Sequence, residues 1–160
     1  PHAPDGPWYY AQVDLGFNYR ITDLQAALGL SQLQRIDAFI EKRRALAARY
    51  DQLLQGLSVG TQAQSPDAKS AYHLYVVRVP AARRRAVFEA MRAADIGVNV
   101  HYIPVHTQPY YRELGFKAGD FPAAEKYYAE AISLPLYYDL SHDQQDRVIA
   151  ALKQALAGAA

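Results

Sequence analysis

Residues 14–29 read Asp14-Leu15-Gly16-Phe17-Asn18-Tyr19-Arg20-Ile21-Thr22-Asp23-Leu24-Gln25-Ala26-Ala27-Leu28-Gly29. This stretch changes character at Thr22. Ahead of it lie Gly16 and Asn18, residue types that accept left-handed backbone in a turn. From Thr22 onward the spacing of Thr22 and Gln25 predicts a capping box, in which each side chain satisfies an orphan backbone donor at a helix start. Residues 23–55 contain no proline and only Gly29, so a long helix over residues 22–57 is expected. Leu33, Ile36, Ile40, Ala47, Tyr50, Leu54 and Leu57 fall mostly three or four apart and predict one core-facing stripe. Glu41, Lys42, Arg44, Arg49 and Asp51 make the opposite face. The first turns differ, because Leu24, Ala26, Ala27, Leu28 and Leu30 are apolar almost all round. Such a segment needs cover on several sides, more than a short chain supplies, and a further domain or a second subunit is expected over it.

Downstream, residues 58–70 are polar and aperiodic. Residues 71–79 are rich in β-branched and aromatic side chains and end at Pro80, which predicts a strand. Residues 83–94 read as a helix with Val87, Phe88 and Met91 inward. Residues 98–102 read as a second strand running into Ile103-Pro104, and residues 109–119 as a looser segment. A helix is expected over 122–131, a third short strand at 134–136, and a last helix from a Ser141/Gln144 cap to about residue 156. The expected fold class is α+β, a long helix followed by a small α/β sandwich with a short antiparallel sheet. The division expected is residues 1–21 as a loop, 22–57 as the long helix and 58–160 as the small domain.

The 160 residues suffice for one such unit. With no cysteine the chain has no disulfide framework, thiolate metal site or cysteine nucleophile. A net charge of +1 excludes a strongly basic nucleic-acid binder. No signal peptide or apolar run of membrane length is present, so a cytoplasmic location without membrane or nucleic-acid partners is expected. The start at Pro1, in Pro/Gly-rich coil without Met, reads as a chain entered in mid-loop.

Three constellations could carry chemistry. Asn18 and Arg20 precede a helix start, where an amide and a guanidinium can hold phosphate or carboxylate; the bland alternative is a solvated polar turn. His101-Tyr102-Ile103-Pro104-Val105-His106, followed by Thr107, Gln108, Tyr110 and Tyr111, offers rings with polar tips that suit a sugar or nucleotide. Ordinary edge histidines are the bland alternative. A metal site with His73 or His142 as third ligand is poorly supported, since no HExxH pair occurs and no carboxylate is obviously paired with His101 or His106. Tyrosine doublets at 9–10, 110–111, 127–128 and 137–138 should each leave one ring at a surface. Arg83-Arg84-Arg85 reads as a solvated basic face.

The block at 14–29, with residues 101–106 and Leu134-Pro135-Leu136-Tyr137, closely resembles the pyridoxal-phosphate-dependent nucleotide-sugar aminotransferases of fold type I. Within that family, residues 7–10 and 102–106 look most like the branch forming UDP-4-amino-4,6-dideoxy-N-acetyl-altrosamine on the route to pseudaminic acid. The resemblance implies a homodimer with active sites at the subunit interface and an amino group passed, commonly from glutamate, to a 4-keto nucleotide sugar. Asn18 matches the asparagine that reaches across the dimer to the cofactor phosphate, and Arg20 matches an arginine near the same site. Tyr102, Ile103, Pro104, Val105 and His106 match the segment lining the nucleotide-sugar pocket. The family's cofactor lysine lies upstream of the Asn18 motif. The five lysines of this chain, Lys42, Lys69, Lys117, Lys126 and Lys153, all lie downstream. The resemblance therefore implies the C-terminal part of such an enzyme, with no catalytic residue of its own and inactive alone. A nucleotide-sugar-binding or assembly domain without transaminase activity is the alternative, and a dehydratase relative with histidine in place of the lysine is a third.

Overall fold

A computed structural model describes residues 6–16 and 20–158. Helix α1 (Asp23–Leu33) starts on the expected capping box: Gln25 N donates to Thr22 Oγ1 at 3.3 Å, and Thr22 N donates to Gln25 Oε1 at 2.9 Å. The helix expected to run to residue 57 is interrupted. After a turn at Gln34 and Arg35, α2 (Ile36–Leu53) begins. The turn is held by an i→i+3 bond, Arg35 N to Gln32 O at 3.0 Å, while the Arg35 guanidinium donates to Gln32 Oε1 and lies 5.1 Å from the Phe39 ring centroid. Neither Gly nor Pro marks the break, and Gly29 stays helical.

Strand β1 (Tyr75–Arg78) pairs antiparallel with β2 (Ala131–Leu134), with Tyr75 opposite Leu134 and Arg78 opposite Ala131. All four residues of β2 are buried, as are the first three of β1. Single bridges extend the pair on both sides, Gly60 to Arg78 and Asn99 to Ser133. The strand expected over 98–102 is thus reduced to one bridge. The strand expected at 134–136 lies earlier, at Ala131–Leu134, and follows directly on helix α5.

Helices α3 (Ala81–Ala93), α5 (Pro122–Glu130) and α6 (His142–Gly158) complete the unit, with a 3-10 turn at Val105–Thr107 and a short α4 (Pro109–Glu113) in the segment expected to be loose. The Ser141/Gln144 cap of α6 forms as expected. Val77, Ile132, Met91, Val87 and Leu152 are fully buried at the centre. Helix α2 joins this core through Leu46, Ala47, Tyr50 and Leu54. Polar ties help to fix it there. Gln145 Nε2 donates to Leu46 O at 3.0 Å, Tyr50 OH donates to Pro135 O at 2.9 Å, and Arg43 Nη1 reaches the carbonyls of Tyr72, His73 and Leu136. Burial pushes the Tyr50 hydroxyl to a higher pKa, and burial next to the Asp51 carboxylate does the same to Tyr75.

The stripe is uncovered at Leu33 and Ile36 and half-buried at Ile40. No residue of α1 is buried; Leu24 is 86% exposed and Leu28 63%. An isolated helix of this length is marginal in water, because most helix stability comes from packing an apolar face.

The arginine run is not a uniform solvated face. Arg83 Nη2 donates to Leu156 O near the end of α6, and Arg85 pairs with Glu89 at 3.0 Å. Arg84 is only 6% exposed, its guanidinium lying 4.0 Å from the centroid of the Trp8 ring. Among the described residues no helix is long and apolar enough to cross a membrane.

Candidate functional site

The site segment begins where the second bridge to β2 ends. Asn99 exchanges two backbone bonds with Ser133, at 3.3 and 2.7 Å, and its side-chain Oδ1 accepts from Val100 N at 2.8 Å. The next residue, His101, places Nδ1 2.8 Å from Ser133 Oγ and Nε2 3.3 Å from Asn99 Nδ2. Burial, with the field of His73, holds the His101 imidazole below the usual histidine pKa. The peptide to Tyr102 is cis. Tyr102 is 55% exposed and meets the His101 ring edge-to-face, centroids 4.5 Å apart. Ile103 and Pro104 turn inward and are buried. The 3-10 turn then closes on Pro104 O, which accepts from Thr107 N at 2.9 Å and from Thr107 Oγ1 at 2.7 Å.

His106 sits inside this turn, 7% exposed, with Nε2 2.8 Å from Glu125 Oε1 on α5 and its ring 4.8 Å from Phe121. The expectation that no carboxylate pairs with these histidines is corrected here. Glu125 lies too far along the chain for local spacing to show it. Gly119 N also donates to Glu125 Oε1 at 2.7 Å. The His106 bond first, and the Gly119 N–H second, hold the Glu125 carboxyl below its usual pKa. A carboxylate with a depressed folded pKa contributes stability above its unfolded pKa, and that contribution is lost as pH falls through the folded value. Glu125→Gln is therefore expected to lower the urea midpoint at pH ~7, and the difference is expected to shrink as the pH falls below the usual glutamate range and through the depressed folded pKa. Urea melts of both proteins over a falling pH series check this.

A strap from the start of the chain crosses the same segment. Trp8 is buried, edge-on to Phe88 at 4.7 Å, with Nε1 donating to Tyr128 OH at 3.0 Å. Four residues on, Gln12 N donates to the buried Gln108 Oε1 at 2.8 Å, and Tyr110 N donates to Gln12 O at 3.2 Å. Between strap and turn lies a cleft of about 320 Å3 bordered by Tyr9, Tyr10, Ile103, Pro104, Thr107, Gln108, Arg112 and Glu125. A second, nearly all apolar cleft of about 370 Å3 opens on the other side of the turn, bordered by Pro104, Val105, His106, Tyr111, Phe116 and Phe121. Residues 103–106 thus divide two clefts. Tyr102 borders neither and stands at the surface, and Arg20 is exposed just ahead of α1. Asn18 lies outside the described residues. Gln108 and the Tyr9-Tyr10 doublet carried a sequence signal; the convergence of Arg112 and Glu125 on them did not.

Residues 3–153 match the DegT/DnrJ/EryC1/StrS aminotransferase family. The chain belongs to that family. Among curated relatives, the spore coat polysaccharide biosynthesis protein SpsC of Bacillus subtilis is 39% identical over 99% of this chain and 42% of its own length. The dTDP-3-amino-3,4,6-trideoxy-alpha-D-glucose transaminase of Micromonospora megalomicea is 36% identical over 94% of this chain and 41% of its own. The PLP form of Spr1654 from Streptococcus pneumoniae superposes with a TM-score of 0.82 at 30% identity, over 96% of this chain and 40% of that one. PseC of Helicobacter pylori, an aminotransferase of pseudaminic acid biosynthesis, gives 0.79 at 26% identity over 91% and 40%. The fold is thus that of the C-terminal part of these aminotransferases, and the chain spans about two fifths of their length.

Aminotransferases of this family depend on pyridoxal phosphate. Neither cleft is lined by a lysine, and Lys42, Lys69, Lys117, Lys126 and Lys153 sit on α2, in the 54–74 and 114–121 loops, and on α5 and α6. The described residues do not make a cup for the cofactor, and no step through it is assigned to them.

Proposed function

We propose that this chain is the C-terminal part of a cytoplasmic aminotransferase that moves an amino group from glutamate to a 4-keto nucleotide sugar. The cofactor lysine is supplied by a preceding domain, and the chain is inactive alone. In such a reaction pyridoxal phosphate carries the amine and acts as electron sink. The chain's own residues bind and orient. The observation that carries the reading is the convergence of tyrosine rings, hydroxyls and Arg112 at the Ile103-Pro104 turn, in a chain of this family. Ring faces suit a sugar or base, and a guanidinium suits a phosphate.

Within this reading Tyr102, outside both clefts of this chain, is a wall of the sugar pocket only where the rest of the enzyme closes over this surface. Ile103, Pro104 and Val105 shape the pocket, and His106, tied to Glu125, braces it. Asn18 and Arg20 reach the cofactor phosphate and the sugar across a homodimer interface, and the uncovered face of α1 is buried in that assembly. The pseudaminic branch is the finer part of the proposal. PseC shares the fold, although SpsC and the Micromonospora enzyme are closer in sequence.

Tyr102→Phe in the complete enzyme should raise the Michaelis constant for the nucleotide sugar by about 3–10-fold, the worth of one net hydrogen bond, and leave that for glutamate unchanged. Equal changes in both would remove Tyr102 from the pocket. Asn18→Ala should release pyridoxal phosphate about 10-fold more readily on dialysis, since a hydrogen bond to a charged group is lost. Unchanged retention would make Asn18 a turn residue only.

A further inference from the structure

We propose that His101 is a positioning residue, held as the neutral imidazole with its proton on Nδ1 by Asn99 and Ser133, and that it sets the Tyr102 ring for substrate. The role rests on the reading of Tyr102 as a wall of the sugar pocket.

The assignment begins at the Asn99 amide. Its Oδ1 is taken by Val100 N at 2.8 Å, and its backbone is locked by two bonds to Ser133. The amide therefore turns its NH2 to His101 Nε2, 3.3 Å away. An NH2 group has only protons to offer, so Nε2 must present a lone pair. A neutral ring then carries its proton on Nδ1 and donates it to Ser133 Oγ at 2.8 Å. The opposite tautomer would set N–H against NH2, and rotating the amide to relieve that would set NH2 against Val100 N–H. Either reversal forfeits a bond in a partly buried place. The imidazolium fails for the same reason, and burial and His73, on the segment before β1, disfavour it as well.

Both ring nitrogens are thereby engaged, and His101 has none left for a ligand. What it offers outward is its ring, against which Tyr102 stands edge-to-face at 4.5 Å. Tyr102 is more exposed than buried, so this contact defines its ring where the core does not.

The test uses the complete enzyme labelled with nitrogen-15 in histidine. His101 is expected to show a protonated Nδ1 and an unprotonated Nε2 at neutral pH. A protonated Nε2 overturns the proposal. In Asn99→Asp the new carboxylate accepts from Nε2 and stabilises the imidazolium. The Michaelis constant for the nucleotide sugar should then rise several-fold at neutral pH and stay raised at higher pH, because a ring that loses one proton beside a carboxylate keeps the one on Nε2, with kcat unchanged. A constant that does not move, in a variant whose spectrum shows Nε2 protonated, overturns the positioning role. Asn99→Ala and Ser133→Thr serve as second variants should Asn99→Asp fail to fold. Asn99→Ala, which removes the donor to Nε2, is expected to let the Nε2-protonated form appear and to raise the same constant, and an unchanged histidine signature in it overturns the proposal; Ser133→Thr, which keeps the Nδ1 acceptor, is expected to keep the parent histidine signature. Failure of the substrate reading is separately visible, because Tyr102→Phe would then leave the nucleotide-sugar constant unchanged whatever the His101 spectrum shows.

Discussion

Trp8→Ala is expected to destabilise the domain by about 3–5 kcal/mol, the range for truncating a buried aromatic side chain. Three contacts are lost at once. Phe88 loses its edge-on partner at 4.7 Å, Tyr128 OH loses the indole donor at 3.0 Å, and the buried Arg84 guanidinium loses the ring face 4.0 Å away. The last loss adds to the cost, because a buried cation that gives up the nearer of two aromatic faces, with Tyr128 remaining at 5.1 Å, gains no water in exchange. For a domain of this size the melting temperature should drop on the order of 10 °C. The effect should not stop at stability. Trp8 anchors the strap that carries Tyr9, Tyr10 and Gln12 over Gln108, so the cleft should lose one wall. Gly6 belongs to the same device. Its φ is +125°, and a Cβ there would lie 2.5 Å from the Trp8 ring, so Gly6→Ala should produce a milder version of the same defect. Thermal melts of the two variants check both. A Trp8→Ala protein melting within a degree of the parent would show that the strap is not part of the core.

The second large effect concerns association. Leu24→Glu combined with Leu28→Glu should cost the isolated chain almost nothing, since both leucines are exposed and surface substitutions usually stay within about 0.5 kcal/mol. In the assembled enzyme the proposed function buries this face. Each buried leucine is worth about 1.5–3 kcal/mol, so the double change should weaken the assembly by at least about 100-fold. Sedimentation of parent and variant over a dilution series measures this. Identical dissociation curves would leave α1 without the role assigned to it.

Legibility followed the range of the interactions. The capping boxes at Thr22/Gln25 and Ser141/Gln144 are local, three residues across, and both form as read. The uncovered turns of α1 were also visible, because a helix apolar all round cannot be satisfied by one small domain. The break at Gln34-Arg35 was not, since it rests on side-chain contacts to Gln32 and Phe39 and not on a breaker residue. The strand expected at 98–102 shrank to a bridge at Asn99, where the Asn99 side-chain bond to Val100, the His101 ring bond to Ser133 Oγ and the turn at Pro104 compete with the ladder. The burial of Arg84 and the pairing of His106 with Glu125 escape a reading of the sequence for one reason. The partners, Trp8 for Arg84 and Glu125 for His106, are distant in sequence, and a charged side chain looks solvated until its partner is placed. The tyrosine doublets behaved as expected at 9–10 and 127–128, where Tyr10 and Tyr127 are exposed, while Tyr137 and Tyr138 are both exposed.

Amine transfer to a nucleotide sugar is tested by supplying the complete protein with pyridoxal phosphate, nitrogen-15 glutamate and a 4-keto nucleotide sugar, then reading the product by mass spectrometry. The expected result is label in the sugar amine, in step with the 2-oxo acid formed from glutamate. A nucleotide sugar that binds but never acquires the label would contradict the claim and leave a binding domain in its place.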